Sequence, residues 1–153
     1  MGINGSFDCK ELVQFKDKIQ KLSENQAQFF IQACAKELAA RLLSKTIKRT
    51  PVGQYPSSSG KVGGTLRRGW TTGKSASAYV DSLNVKLSNG IYTIEIVNPV
   101  DYASYVEFGH RTRNGEGWVE GKFMLTISEQ EIQAASPKIL ENKINKMLGE
   151  CLK

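Results

Sequence analysis

The chain has 153 residues, 40% of them apolar and 24% charged, which suits a single soluble domain large enough to bury its own core. No stretch approaches the roughly 20 apolar residues that a membrane span requires, so a helical membrane protein is excluded. The net charge of +6 raises nucleic acid or an acidic partner, but much of the excess falls in residues 51–75, which hold Lys61, Arg67, Arg68 and Lys74 and no acid.

The N-terminus, Met1 to Ser6, has neither a basic start nor an apolar run, so it reads as lacking a secretory signal and the protein is expected in a cytoplasm. Asp8 and Glu11 resemble a helix cap. Behind them Leu12, Phe15, Ile19 and Leu22 recur at the spacing of one helical face, predicting a first short amphipathic helix. Cys9, Cys34 and Cys151 are an odd, scattered set; in a reducing compartment they read as three structural thiols.

Ser23 and Gln26 form a capping box. Ala27, Phe30, Ile31, Cys34, Leu38 and Leu42 then keep one stripe until Thr50-Pro51 stops it, predicting a long helix. From Pro51 to about Lys74 the chain is dense in Gly, Ser and Thr and shows no sustained period, so residues 51–75 read as a flexible projecting arm.

Asn89-Gly90 supplies the two positive-φ residues of a tight hairpin turn. Pairing Ser88 with Ile91 sets Leu87 opposite Tyr92, Val85 opposite Ile94 and Leu83 opposite Ile96, all on one face, with Asn84, Lys86, Thr93 and Glu95 on the other. That is the pattern of a sheet covered by helix on one side and wetted on the other.

After Asn98-Pro99, an aromatic-rich segment from Tyr102 to Phe108 is expected to be helical or irregular and closed by Gly109. A loop over residues 110–121 follows, then a last strand at 122–126. Ser128 and Glu131 read as another capping box, opening a C-terminal helix with Ile132, Ala135, Ile139, Leu140, Ile144, Met147 and Leu148 inward. Ser136-Pro137 is expected to kink or restart that helix. The whole is expected to be one domain over 1–153. Its fold is α+β, an antiparallel sheet packed by the long N-terminal-half helix and the C-terminal helix, carrying a long Gly/Ser-rich arm.

The chemistry of catalysis is sparse. His110 is the only histidine and lies in a polar loop. The cysteines are too far apart for a redox pair or zinc knuckle, and the Gly60–Gly69 stretch lacks a phosphate loop's Gly-Lys-Ser/Thr ending. No cofactor or metal is expected. Glu107, between Val106 and Phe108, is the one carboxylate placed for acid–base work; the preferred reading is an ion pair with Arg67, Arg68, Arg111 or Arg113, or with a neighbouring subunit. Arg67 and Arg68 beside Trp70, and Arg111 and Arg113 beside Trp118, are either interface anchors, the preferred reading, or phosphate clamps with stacking aromatics.

In order, the chain shows a helix closing on Thr50-Pro51-Val52, a Gly-rich arm reaching Leu66-Arg67-Arg68-Gly69-Trp70, an Asn-Gly hairpin, and Tyr102-Ala103-Ser104-Tyr105-Val106-Glu107-Phe108-Gly109. This resembles the tail-completion, or head-tail joining, family of long-tailed phages and prophages, over about residues 27–148. The second signature is the more specific. In the first, residues 53–64 replace a short link and lengthen the arm.

The resemblance implies a mixed helix and antiparallel-sheet domain that is monomeric or weakly associated when purified, forms a ring of typically six subunits at the virion neck, and has no enzymatic activity. The expected partners are further copies of the chain and the neighbouring connector, tail-terminator or tail-tube proteins, with no membrane. Leu66, Arg67, Arg68 and Trp70 are expected to reach an adjacent subunit or the connector, together with Arg111 and Arg113. Tyr102, Tyr105, Glu107 and Phe108 are expected to hold the arm's base against the sheet. The first rival reading is a module whose basic arm contacts DNA in the lumen; a small hydrolase using Glu107 ranks last.

Overall fold

The computed structural model describes residues 24–151. The amphipathic segment expected at residues 8–22, the Ser23 cap and Cys9 lie outside them.

Helix α1, Glu24–Arg49, forms where expected. Its last turn carries Lys48 and Arg49, cations that suit the negative end of the helix dipole, and Pro51 disfavours a further helical turn at Thr50. The buried positions are Cys34, Ala39, Leu43, Thr46 and Thr50. The expected stripe is therefore shifted: Leu38 and Leu42 are half-buried and Ile31 is exposed. The reason is that α1 faces several partners, the C-terminal helix as well as a short helix and a strand of the middle segment, and so needs an apolar face wider than one stripe. Its buried threonines satisfy their hydroxyls on the preceding turn: Thr46 Oγ1 donates to Leu42 O at 2.9 Å and Thr50 Oγ1 to Thr46 O at 2.7 Å.

The segment read as one arm divides in two. Residues 51–62 are exposed and hold only a 3-10 turn at Ser57–Ser59. From residue 65 the chain folds into the core as helix α2, Thr65–Gly69, and helix α3, Ala76–Asp81, whose Ser75 cap accepts from Ala78 N. The core joins Ala39 and Leu43 of α1 to Leu66, Trp70 and Val80, and to Met124 of the C-terminal helix. Periodicity failed to find α2 and α3 because five or six residues are too few to express it.

Strands β1, Lys86–Ser88, and β2, Ile91–Thr93, pair in the expected register, with Ser88 opposite Ile91 and Leu87 opposite Tyr92. Asn89 and Gly90 have φ of 50° and 76°, the signature of a type I′ turn. Alternation also holds beyond the ladder. Ile94 and Ile96 pack on the core while Thr93, Glu95 and Val97 are exposed. Leu87, expected on the covered face, is exposed at the tip.

Helix α4, Ala103–Phe108, ends at Gly109 as expected. The next expectation fails. The loop at 110–121 is a second hairpin, β3, Gly109–Arg111, paired with β4, Trp118–Glu120. No strand forms at 122–126; Phe123, at φ 46°, turns the chain into helix α5, Met124–Cys151. Ser128 is accordingly not a cap but an interior residue donating to Met124 O at 2.6 Å. The sheet is thus two separate two-stranded ribbons.

Pro137 lies inside α5, which runs through it. The carbonyl deprived of a Pro137 N–H is that of Gln133, and Ser136 Oγ donates to it at 3.0 Å. The helix thus keeps that acceptor satisfied despite the missing donor. Glu131, expected to complete the capping box, instead bridges to α1 through Lys45 and Arg49.

Candidate assembly surface

The two sequence signatures do different physical work. In the first, Thr50 is a hub at the end of α1. Arg67 donates to Thr50 O from Nε at 3.2 Å and from Nη2 at 2.7 Å, closing a carbonyl left open where the helix stops. Trp70 Nε1 donates to Thr50 Oγ1 at 2.9 Å. Asn98 Nδ2 donates to Leu66 O at 2.9 Å, and a Cβ on Gly69 would stand 2.4 Å from Asn98 Oδ1, so glycine is needed for the approach.

Leu66 and Trp70 are each only 4% exposed, which corrects the expectation that they reach a neighbour: burial of a large indole with its N–H satisfied is a property of a core residue. Arg67 faces the same way. Of the four, only Arg68 is exposed, and it donates to Gly63 O at 3.2 Å.

That contact helps close the arm on itself. A Cβ on Gly63 would meet Gly53 O at 2.0 Å, so residues 53 and 63 are pinched together. The stretch between them is a loop with its ends joined, and Lys61 Nζ lies 5.8 Å from the Tyr55 ring centroid. A cleft of about 210 Å³ separates its base, at Pro51, Tyr55 and Val62, from Tyr102 and Val106. Of the residues expected to brace the arm, Tyr102 is the one that faces it, across that cleft.

In the second signature the spacing separates two faces of α4. Ala103 and Val106 pack on the core, and Glu107 is buried. Tyr102, Tyr105 and Phe108, three apart, point to solvent, Tyr105 at 59% and Phe108 at 62% exposure. Among the described residues Glu107 makes no ion pair, and its carboxyl oxygens accept from the start of α5 instead. Its Oε2 accepts from Leu125 N at 3.0 Å, and its Oε1 from Thr126 N at 2.9 Å and Thr126 Oγ1 at 2.7 Å; it is the N-terminal cap of α5. Three residues earlier in the chain the backbone already runs against α4, with Lys122 N donating to Val106 O and Phe123 N to Glu107 O. Gly121 permits this, since a Cβ there would lie 2.4 Å from Glu107 O.

The second hairpin carries one more exposed aromatic residue. Trp118 is 55% exposed and stands opposite Arg111 in the ladder, and its ring lies 3.0 Å from where a Cβ on Gly109 would be. The His110 and Tyr105 ring centroids are 5.7 Å apart, and His110 Nδ1 lies 3.4 Å from Tyr105 O. Tyr105 and His110 are thus neighbours at the junction of α4 and the hairpin, while Trp118, paired with Arg111, lies against Gly109 on the other face of the ribbon. Arg111 and Arg113 are exposed on the same hairpin.

Away from this face, ion pairs join α1 to α5. Lys143 and then Arg41 hydrogen-bond the Glu37 carboxyl and hold it below the usual glutamate range; Lys45 and then Arg49 do the same for Glu131. Burial pushes the free Cys34 thiol up, consistent with a structural thiol. Among the described residues, no group of three or more His, Cys, Asp or Glu is placed to hold a metal ion, and no helix is long and apolar enough to cross a membrane.

Sequence reasoning named the aromatic and arginine residues but not which of them share a face. It missed Thr50 and Asn98 as hubs and Glu107 as a cap. The available signal was the Thr-Pro at the helix end; Glu107 lies 18 and 19 residues before the Leu125 and Thr126 amides it caps, and no local pattern spans that distance.

A family model described as "Bacteriophage HK97-gp10, putative tail-component" matches residues 13–109, more than half of the chain. The match takes in α1, the arm, the first hairpin and α4, and stops at the glycine that closes α4, short of the resemblance read over 27–148. No curated protein and no solved structure matches the chain.

Proposed function

We propose that this chain, which belongs to the HK97-gp10-like family of bacteriophage tail components, is a neck or tail-completion subunit that assembles with copies of itself into a ring, using the face formed by α4 and the β3–β4 hairpin. Family membership makes it a structural tail protein of the virion; the ring, its place at the neck and assembly in the host cytoplasm are the reading advanced here.

The observation that carries the reading is the exposure of three large rings, each more than half exposed: Tyr105 and Phe108 on α4, whose opposite side is fixed in the core, and Trp118 on the adjoining hairpin. Tyr, Trp and Arg dominate the centres of protein interfaces, because they bury large area at small entropic cost. Arg111 and Arg113 supply hydrogen-bonding charge next to those rings. A ring needs a heterologous contact, one patch on each copy meeting a different patch on the next, and exposed aromatic residues on α4 and the β3–β4 hairpin suit one side of that contact.

The arm is the second element of the reading. Its exposed residues 54–62 order against a partner at a cost of about 1 to 2 kcal/mol per residue in backbone entropy, which a neighbouring surface must offset. DNA contact by the basic arm is the weaker reading, since Arg67 is engaged at Thr50 and Arg68 at Gly63.

Electron microscopy of tail tubes incubated with the protein tests this. The wild type should cap tube ends, and a Tyr105→Ser/Trp118→Ser variant should not. Capping by the variant at the wild-type level contradicts the proposed face; binding to duplex DNA that weakens steeply with salt, with no capping, would replace it by the DNA reading.

A further inference from the structure

We propose that Asn89 is a site of spontaneous covalent modification, where the folded protein converts an asparagine to aspartate and isoaspartate while the otherwise similar Asn114 is protected. The chain contains three Asn-Gly pairs, Asn4-Gly5, Asn89-Gly90 and Asn114-Gly115; the first lies outside the described residues, and the other two sit in the turns of the two hairpins.

The reaction needs no enzyme or cofactor. The backbone nitrogen of the glycine, on losing its proton, attacks the asparagine Cγ. A C–N bond forms, the side-chain nitrogen leaves as ammonia, and a five-membered succinimide closes. Water then adds to one of its two carbonyls. Opening at Cγ gives aspartate; opening at the backbone carbonyl gives isoaspartate, in which the main chain runs through the former side chain. The balance is one water in and one ammonia out, with no change of oxidation state. Glycine favours the attack because no side chain obstructs its nitrogen. A free amide on both residues favours it further, since each hydrogen bond must otherwise be broken before the ring can close.

The two turns differ in those respects. At the β1–β2 tip, Asn89 and Gly90 are both exposed, nothing lies within 4 Å of a Cβ position on Gly90, and among the described residues neither the Asn89 side chain nor Gly90 N takes a hydrogen bond. At the β3–β4 turn every reacting group is held. Gly115 N donates to Thr112 O at 2.8 Å. Asn114 Oδ1 accepts from Thr112 Oγ1 at 2.6 Å and from Glu116 N at 3.4 Å, and Asn114 Nδ2 donates to Glu116 Oε2 at 3.0 Å. The nucleophile and the leaving group are both restrained, and exposure alone does not release them.

The product would matter to the fold locally. Aspartate adds a negative charge to the tip. Isoaspartate adds an atom to the main chain of a two-residue turn whose geometry sets the Ser88–Ile91 pairing, and so loosens the register that places Ile94 and Ile96 on the core.

The test is incubation of the full-length protein in mildly alkaline buffer, with peptide mass spectrometry of the Asn89 and Asn114 fragments over time and isoaspartate identified by fragmentation. Asn89 should convert about tenfold faster than Asn114, a barrier difference of about 1.4 kcal/mol, and the two rates should draw together in denaturant, where the turns are gone. Equal rates in the folded protein, or a ratio that denaturant leaves unchanged, would overturn the proposal. A Thr112→Val variant should accelerate Asn114 alone, and an unchanged Asn114 rate there would remove the structural basis given for its protection.

Discussion

Glu107 and Thr126 are joined twice, the carboxylate oxygen accepting from Thr126 N at 2.9 Å and from Thr126 Oγ1 at 2.7 Å. This couples the six-residue helix that displays the aromatic face to the 28-residue helix that packs along α1. Removal of the carboxylate leaves helix-end N–H groups without a partner. Glu107→Ala should lower stability by about 2 kcal/mol, and Glu107→Gln, which keeps one acceptor oxygen, by roughly half as much. Urea midpoints at constant slope measure both; a Glu107→Ala midpoint equal to wild type would contradict the capping role.

Thr50 and Trp70 give the second expectation. Trp70→Phe keeps most of the ring volume but removes the Nε1–H donor to Thr50 Oγ1, and should cost about 1 kcal/mol. Trp70→Ala empties part of the core and should cost about 3 to 5 kcal/mol. Arg68→Ala, on the exposed side of the same helix, should stay within about 0.5 kcal/mol of wild type. If Arg68→Ala proved the most damaging of the three, the first signature would not be a core clamp.

The α1–α5 ion pairs give a pH dependence of defined sign. Glu37 and Glu131 titrate below their usual value of 4.5 in the folded chain, so the folded state binds fewer protons than the unfolded state near and just below that value. Their contribution is therefore complete above about pH 4.5 and is lost as pH falls through the lowered folded values. A Glu37→Gln/Glu131→Gln variant should have a lower urea midpoint than wild type at neutral pH, and the gap should close in strong acid. A gap that is the same at both would show that the pairs do not contribute through ionisation.

Much of this fold was legible where a local rule governs. Asn89-Gly90 fixed its own hairpin because a type I′ turn demands positive φ at both positions, and Thr50-Pro51 ended α1 because proline constrains its predecessor. What was illegible depends on distant partners. Met124 starts a helix five residues before Ser128 could cap one, because the cap comes from Glu107, far back in the chain. Trp70 reads as an exposed loop residue among glycines until Thr50 meets its indole. The aromatic stripe was visible as composition at Tyr102, Tyr105 and Phe108, but its outward direction required knowing that Glu107 points inward.

The central claim is that the α4 and β3–β4 face mediates self-assembly, and sedimentation velocity of the full chain against a Tyr105→Ser/Phe108→Ser/Trp118→Ser variant, over a range of concentrations and with tail tubes present, tests it most directly. All three rings are exposed, so the variant's urea midpoint should match that of wild type within about 0.5 kcal/mol. The expected result is ring-sized or tube-bound species for the wild type and only monomer for the variant. A well-folded variant that assembles as the wild type does would contradict the claim and move the interface elsewhere on the chain.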